Sequence, residues 1–211
     1  MQKANPLLVT YPLAVVKPQK PKPARLYTLG EYLQREERSE TLNEYFNGII
    51  TKLTMAKGDH NQIIMNTGTV LNNTFDKQGK NYYVRGGQQS VYLPKLNECL
   101  YPDVLVIAET PQYFDTNEIL LINPLIIIEV LSKGTGKYDR TDKFTKYKTL
   151  DSIQEYILID PKRCCVETWF REGSRLWSDA EFDQMDSGLL LRSVGCLLDM
   201  KAIYKNVTFK K

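Results

Sequence analysis

The sequence holds a single histidine, His60, among its 211 residues. That scarcity excludes a histidine-rich metal centre, and any Ser-His-Asp triad would have to use His60 itself. The four cysteines, Cys99, Cys164, Cys165 and Cys196, contain no CxxC pair. Neither a zinc ligand pair nor a dithiol redox motif is therefore written in the chain. Cys164 and Cys165 are adjacent, so a strand would point them to opposite faces. Small thiols in a reducing cytoplasm are the expected setting. No apolar run reaches the ~18 to 20 residues of a membrane span. No GxxxxGK phosphate loop occurs. Neither charge sign dominates: 28 basic residues against 25 acidic ones leave a formal +3. Such a balance permits nucleic acid as a partner without arguing for it, and any basic surface must be local.

What is present is the composition of a globular protein, 42% hydrophobic and 25% charged. The length suits one domain of ordinary size. Pro6, Pro12, Pro18, Pro21 and Pro23 break up the first residues. We expect an extended leader over 1–24 and a single α/β domain over 25–211.

Thr28-Leu29-Gly30-Glu31 has the capping-box pattern and predicts a helix to about Arg38. Asn47-Gly48 separates Thr41–Phe46 from Ile49–Met55, which predicts a hairpin. Asp59 should open a second helix, with Ile63, Ile64, Thr67, Val70, Leu71 and Thr74 at helical spacing. Tyr82–Val84, Ser90–Leu93 and Val104–Ala108 read as strands. Leu125–Leu131 is a nearly unbroken β-branched run, the mark of a central strand buried on both faces. A helix over about Asp139–Leu150 and strands at Glu155–Asp160 and Cys164–Phe170 come next. Strand, helix and strand over 125–160 predict a parallel crossover. A short hairpin and an apolar segment, Val194–Tyr204, close the chain. Together these predict a mixed central sheet flanked by helices.

Glu129 is the most informative residue, because it interrupts the isoleucine run. A lone buried carboxylate costs several kcal/mol, so it must be protonated, paired with Lys or Arg, or bound to a cation. Asp103 opens an apolar strand directly after Pro102. Alone it reads as a turn residue, but two acids on neighbouring strands could share one hard cation such as Mg²⁺ or Mn²⁺. Glu44 shares a strand face with Leu42 and Phe46, unless that face is solvated. Lys143 lies one turn beyond Asp139 and can reach back to the end of the central strand, with Lys146 as its competitor. Lys133, Lys137, Arg140 and Lys146 form either a phosphate-contacting patch or a solvated helix face. His60, at a helix start, reads as a structural or phosphate contact.

Tyr101-Pro102-Asp103 followed by Ile128-Glu129-Val130-Leu131-Ser132 resembles the PD-(D/E)XK nuclease superfamily. More narrowly, the chain is similar to the Uma-type restriction-endonuclease-like family over roughly residues 28–200. Glu44 before Gly48, His60, Asp139-Arg140 with Lys143 and Tyr147, and Glu155-Tyr156 to Asp160-Pro161 complete that pattern. The resemblance implies a restriction-endonuclease-like fold and a metal held by Asp103, Glu129 and the backbone carbonyl of Val130, with Glu44 contributing. One departure matters: the lysine two residues after the acid is Leu131 here. Either Lys143 fills its role, or the fold is a degenerate one that binds nucleic acid, or another protein, without cutting. The expected activity is Mg²⁺-dependent hydrolysis of phosphodiester bonds, in DNA, by a cytoplasmic protein and, by analogy with cutters of two strands, a homodimer.

Overall fold

The computed structural model describes residues 25–55, 58–132 and 134–209. The expected leader over 1–24 and the candidate Lys133 lie outside them.

Thr28 caps α1 (Leu29–Glu36). The Thr28 hydroxyl accepts the Glu31 N–H, and the Glu31 carboxylate accepts the Thr28 N–H at 2.8 Å. Strands β1 (Asn43–Phe46) and β2 (Ile49–Lys52) then form the expected hairpin. Its turn puts Asn47 at φ 42° and Gly48 at φ 104°, the positive angles a tight two-residue turn needs. Helix α2 (Asp59–Lys77) buries Ile63, Thr67, Leu71 and Phe75, one face at four-residue spacing. Next come β3 (Tyr83–Gly86), β4 (Ser90–Leu93), β5 (Glu98–Leu100), β6 (Val104–Ile107), β7 (Leu120–Leu121) and β8 (Ile126–Val130).

The segment expected as one helix over 139–150 starts earlier and is irregular. It comprises α3 (Gly136–Tyr138), a π-helical turn at Asp139–Lys143, and α4 (Phe144–Tyr147). Both Asp139 and Lys143, at the ends of that turn, are buried. Strands β9 (Glu155–Ile159), β10 (Val166–Arg171) and β11 (Trp177–Phe182) come after it, then the hairpin β12 (Gly188–Leu191) and β13 (Cys196–Asp199), and α5 (Met200–Ile203).

The strands form two mixed sheets and a separate hairpin where one central sheet was expected. The larger has the order β11-β10-β9-β8-β6-β3, and the smaller β2-β1-β5-β4-β7. Within the larger sheet only β8 and β9 run parallel, joined through the helical segment as predicted. All five residues of β8 and of β9 are buried, because both faces of the sheet are covered. On one face Val104, Val106, Ile126, Ile128 and Val130 pack with α2, the β12–β13 hairpin and α5. On the other, Leu105, Ile127, Leu131 and Leu158 pack with Phe144, Tyr147 and the smaller sheet. Helix α1 closes the far side of that sheet through Tyr32, stacked on Tyr45. By strand alternation Glu129 faces the same side as Ile127 and Leu131, toward α4.

Candidate active site

Asp103 stands one residue before β6, and Glu129 is next to last in β8. The two strands pair antiparallel, with Val104 opposite Ile128, so both acids come to the same end of the sheet. The Asp103 carboxylate is held from two sides. Val130 N–H donates to Oδ2 at 2.8 Å, and His60 Nε2 lies 3.3 Å from Oδ1. A residue's N–H and C=O point to the same edge of an extended strand. The Val130 carbonyl therefore faces the Asp103 side as well.

Lys143 comes from the π-helical turn. Its Nζ lies 2.7 Å from Glu129 Oε1 and donates to the Tyr101 carbonyl at 3.4 Å. Its side chain is only 8% exposed and that of Glu129 4%. Leu131, where the superfamily has its lysine, is committed to the apolar core. Glu44 reaches the centre from β1, with its Oε1 3.5 Å from the Tyr101 N–H. Tyr101 thus sits between Glu44 and Lys143, touching both through its backbone.

Burial pushes the Lys143 ammonium down, but the Glu129, Glu44 and Asp139 carboxylates more than offset this and hold it above its usual value. Glu129 is raised well above the ordinary carboxylate range by burial; Lys143 opposes the shift, and Asp103 and Asp139 add to it. Burial raises Glu44 too, against Lys143. One ammonium cannot neutralise four neighbouring carboxylates. The surplus acids must share protons or a further cation.

Asp139 belongs to this centre, although the sequence marked it only as the residue one turn before Lys143 and as part of the family pattern. It is 3% exposed, its carboxylate accepts the Thr135 hydroxyl at 2.7 Å, and its own acidity is shifted upward by burial. The four-residue spacing from Lys143 carried that signal, but burial of the pair could not be read from it. The hydroxyls of Tyr138 and Tyr147 are buried without a hydrogen-bond partner among the described residues. Both lie in the field of Glu129 and Glu44. The centre therefore has hydrogen-bonding capacity that the protein itself leaves unused.

The expected basic patch does not form as one face. Arg140 turns to β10, where its Nε lies 3.1 Å from both oxygens of Glu167. Lys146 pairs with Glu98 at 2.7 Å and covers the Phe46 ring. Lys137 alone of the described candidates stays exposed, with no ion pair among the described residues. Helical spacing does not reveal this, because the acids that claim Arg140 and Lys146 sit on distant strands.

Among the described residues no three His, Cys, Asp or Glu side chains are grouped to hold a metal ion. A hard cation needs less: Mg²⁺ is ordinarily bound through one or two carboxylates and keeps several waters. Two carboxylates and a strand carbonyl, all oxygen, fit that demand.

The mixed sheet with its parallel crossover and the acid–lysine centre at the strand ends define an α/β protein of the restriction-endonuclease-like class. A family model, Uma2, described as "Putative restriction endonuclease", matches residues 29–200, and the chain belongs to that family. An uncharacterized protein of Synechocystis sp. is 33% identical over 153 residues, covering 72% of this chain and 85% of its own. A second from the same organism is 27% identical over 179 residues, covering 85% and 92%. Among solved structures, a protein from Anabaena variabilis described as a putative nuclease belonging to DUF820 superposes with a TM-score of 0.69. At 22% identity, over 86% of this chain and 99% of that one, it shows the fold. No helix among the described residues is long and apolar enough to cross a membrane.

Proposed function

We propose that the protein is a Mg²⁺- or Mn²⁺-dependent endonuclease that hydrolyses phosphodiester bonds in DNA. One observation carries this: the Lys143 ammonium, delivered from a helix, lies 2.7 Å from the buried Glu129 carboxylate beside Asp103. This ammonium supports the reading of a cutting site rather than a degenerate one, since Leu131 supplies no cation. Asp103, Glu129 and the Val130 carbonyl would hold the divalent ion. When bound, such an ion polarises the phosphate and lowers the pKa of an attacking water.

The chain's own groups do the positioning. His60 and the Val130 N–H fix the Asp103 carboxylate. Lys143, in a water-poor centre, stabilises the negative charge that develops on the phosphate. Glu44 braces Tyr101, and after Glu129 it adds to the negative field that raises Lys143. Cutting both strands of a duplex calls for two such centres, so a cytoplasmic homodimer is part of the proposal.

The test is conversion of supercoiled plasmid DNA to nicked and linear forms with Mg²⁺ or Mn²⁺, with Asp103→Ala as control. We expect metal-dependent cleavage by the wild type and none by the variant. Wild-type protein that leaves DNA intact with either ion, or equal cleavage by Asp103→Ala, overturns the proposal.

A further inference from the structure

A polar cleft lies along α1 and the start of β1. It has a volume of about 480 Å³, and its lining includes Arg25, Tyr27, Arg35, Glu36, Arg38 and Asn43. Its lining residue Glu36 is linked to the centre through Tyr101. The Tyr101 hydroxyl donates to Glu36 Oε1 at 3.0 Å, while the backbone of the same tyrosine meets Glu44 and Lys143.

The charges in the cleft are unevenly used. Glu36 is satisfied inward, accepting the Asn43 N–H and side-chain amide at 2.8 Å each besides Tyr101. Glu31 is taken by the α1 cap and by Arg25 at 2.7 Å. Among the described residues, Arg35 and Arg38 make no ion pair, and both are exposed. The Tyr27 ring holds the Arg25 and Arg35 guanidinium groups, each 4.8 Å from its centre. A ring that carries two guanidinium groups limits their freedom before any ligand arrives. The acids are thus spent on structure, and two guanidinium groups remain to receive an anion. Guanidinium forks match phosphate oxygens in pairs. The sequence before Arg25 adds Lys3, Lys17, Lys20 and Lys22 and no acid, so the positive charge at this end of the chain is one-sided.

We propose that this cleft binds the phosphate backbone of the DNA strand flanking the scissile bond, with Arg35 and Arg38 as the phosphate contacts and Tyr27 as the residue that positions Arg35. The proposal rests on the nuclease reading for its partner. It assigns the positive surface to α1, away from the helical segment after β8 where the lysine clustering had suggested it.

The experiment measures binding of a short fluorescein-labelled DNA duplex by full-length protein, in chelator, over a range of salt. The variants are Arg35→Gln/Arg38→Gln, Arg35→Lys/Arg38→Lys, and Lys201→Gln/Lys205→Gln as a charge-matched control, each with its melting temperature. For the Gln pair we expect roughly tenfold weaker binding at low salt and a salt slope shallower by about 2, one unit for each lost phosphate contact. The Lys pair should keep the slope but lose part of the affinity, because the charge stays and the fork is lost. Unchanged affinity and slope in the Gln pair, or an equal loss in the control, overturns the cleft and leaves the nuclease proposal standing. Binding that is intact while plasmid cleavage is absent overturns the nuclease proposal and leaves the cleft. Wild-type protein that binds no DNA at low salt overturns the cleft directly.

Discussion

Lys143 carries two kinds of work at one atom. Its ammonium neutralises part of a buried acid cluster, and on the proposed mechanism it also faces the phosphate. The two roles separate by measurement. Lys143→Met keeps the length and apolar stem of the side chain and removes the charge. It should lower plasmid cleavage by about 10² to 10³, the usual loss when a preorganised charge at the reacting phosphate is removed. Metal affinity, read by calorimetric Mn²⁺ titration, should stay within a few-fold, because an ammonium is not a ligand. Parallel loss of both would reduce Lys143 to a structural counter-ion. At this scale the sequence was legible for the acids and for Lys143, since each breaks an apolar pattern or sits at a telling spacing. It was not legible for Arg140 and Lys146. Their partners, Glu167 and Glu98, lie on strands whose neighbours are set by long-range pairing.

Among the elements, the β12–β13 hairpin is tied to the central sheet by one carboxylate. Glu155 is 1% exposed and accepts the Arg192 N–H at 2.7 Å, the Ser193 N–H at 3.1 Å and the Ser193 hydroxyl. Those bonds hold the turn region after β12 against the start of β9. Glu155→Ala leaves two backbone donors unpaired and should cost about 2–3 kcal/mol in urea unfolding, with the hairpin amides losing hydrogen-exchange protection first. Protection lost uniformly across the sheet would show that the hairpin is no separate unit. Strong local signals marked most elements: the Thr28–Glu31 box, the Asn47-Gly48 turn and the 125–131 run. Strand β5 was hidden by its length and by Glu98. Two residues of β7 give no period, and Ser178, Asp179 and Glu181 leave β11 without an apolar alternation. The π-helical turn was invisible because its apolar spacing mimics an ordinary helix.

For the whole molecule, the buried acids couple proton to fold, and on the proposed function they couple metal to both. Glu129, Glu44 and Asp139 all have values raised by burial. A raised carboxylate contributes stability that is full below its unfolded value and is lost as pH rises through the folded one. The chelated protein therefore loses the contribution of these three groups as the solution becomes less acidic. A metal ion needs the deprotonated carboxylates, so its stabilisation grows over the same rise. The melting-temperature difference between Mn²⁺-loaded and chelated protein should widen as pH rises through the raised values of these carboxylates. A difference that narrows with pH would mean the acids do not hold the ion. The α/β class and the crossover were readable from the sequence at this scale. The division into two sheets was not, because it depends on which edges meet.

The π-helical turn is where one residue of chain length carries geometric meaning. It holds the buried Asp139 and Lys143 and spends about one more residue per turn than an α-helix does. Shortening the segment by one residue would restore a regular spiral. It would also rotate the residues before the cut by about 100° relative to those after it. Asp139 and the Tyr147–Phe144 packing could then no longer both face inward. Insertions and deletions, usually a matter for surface loops, thus bear on the chemistry of this protein from inside a helix.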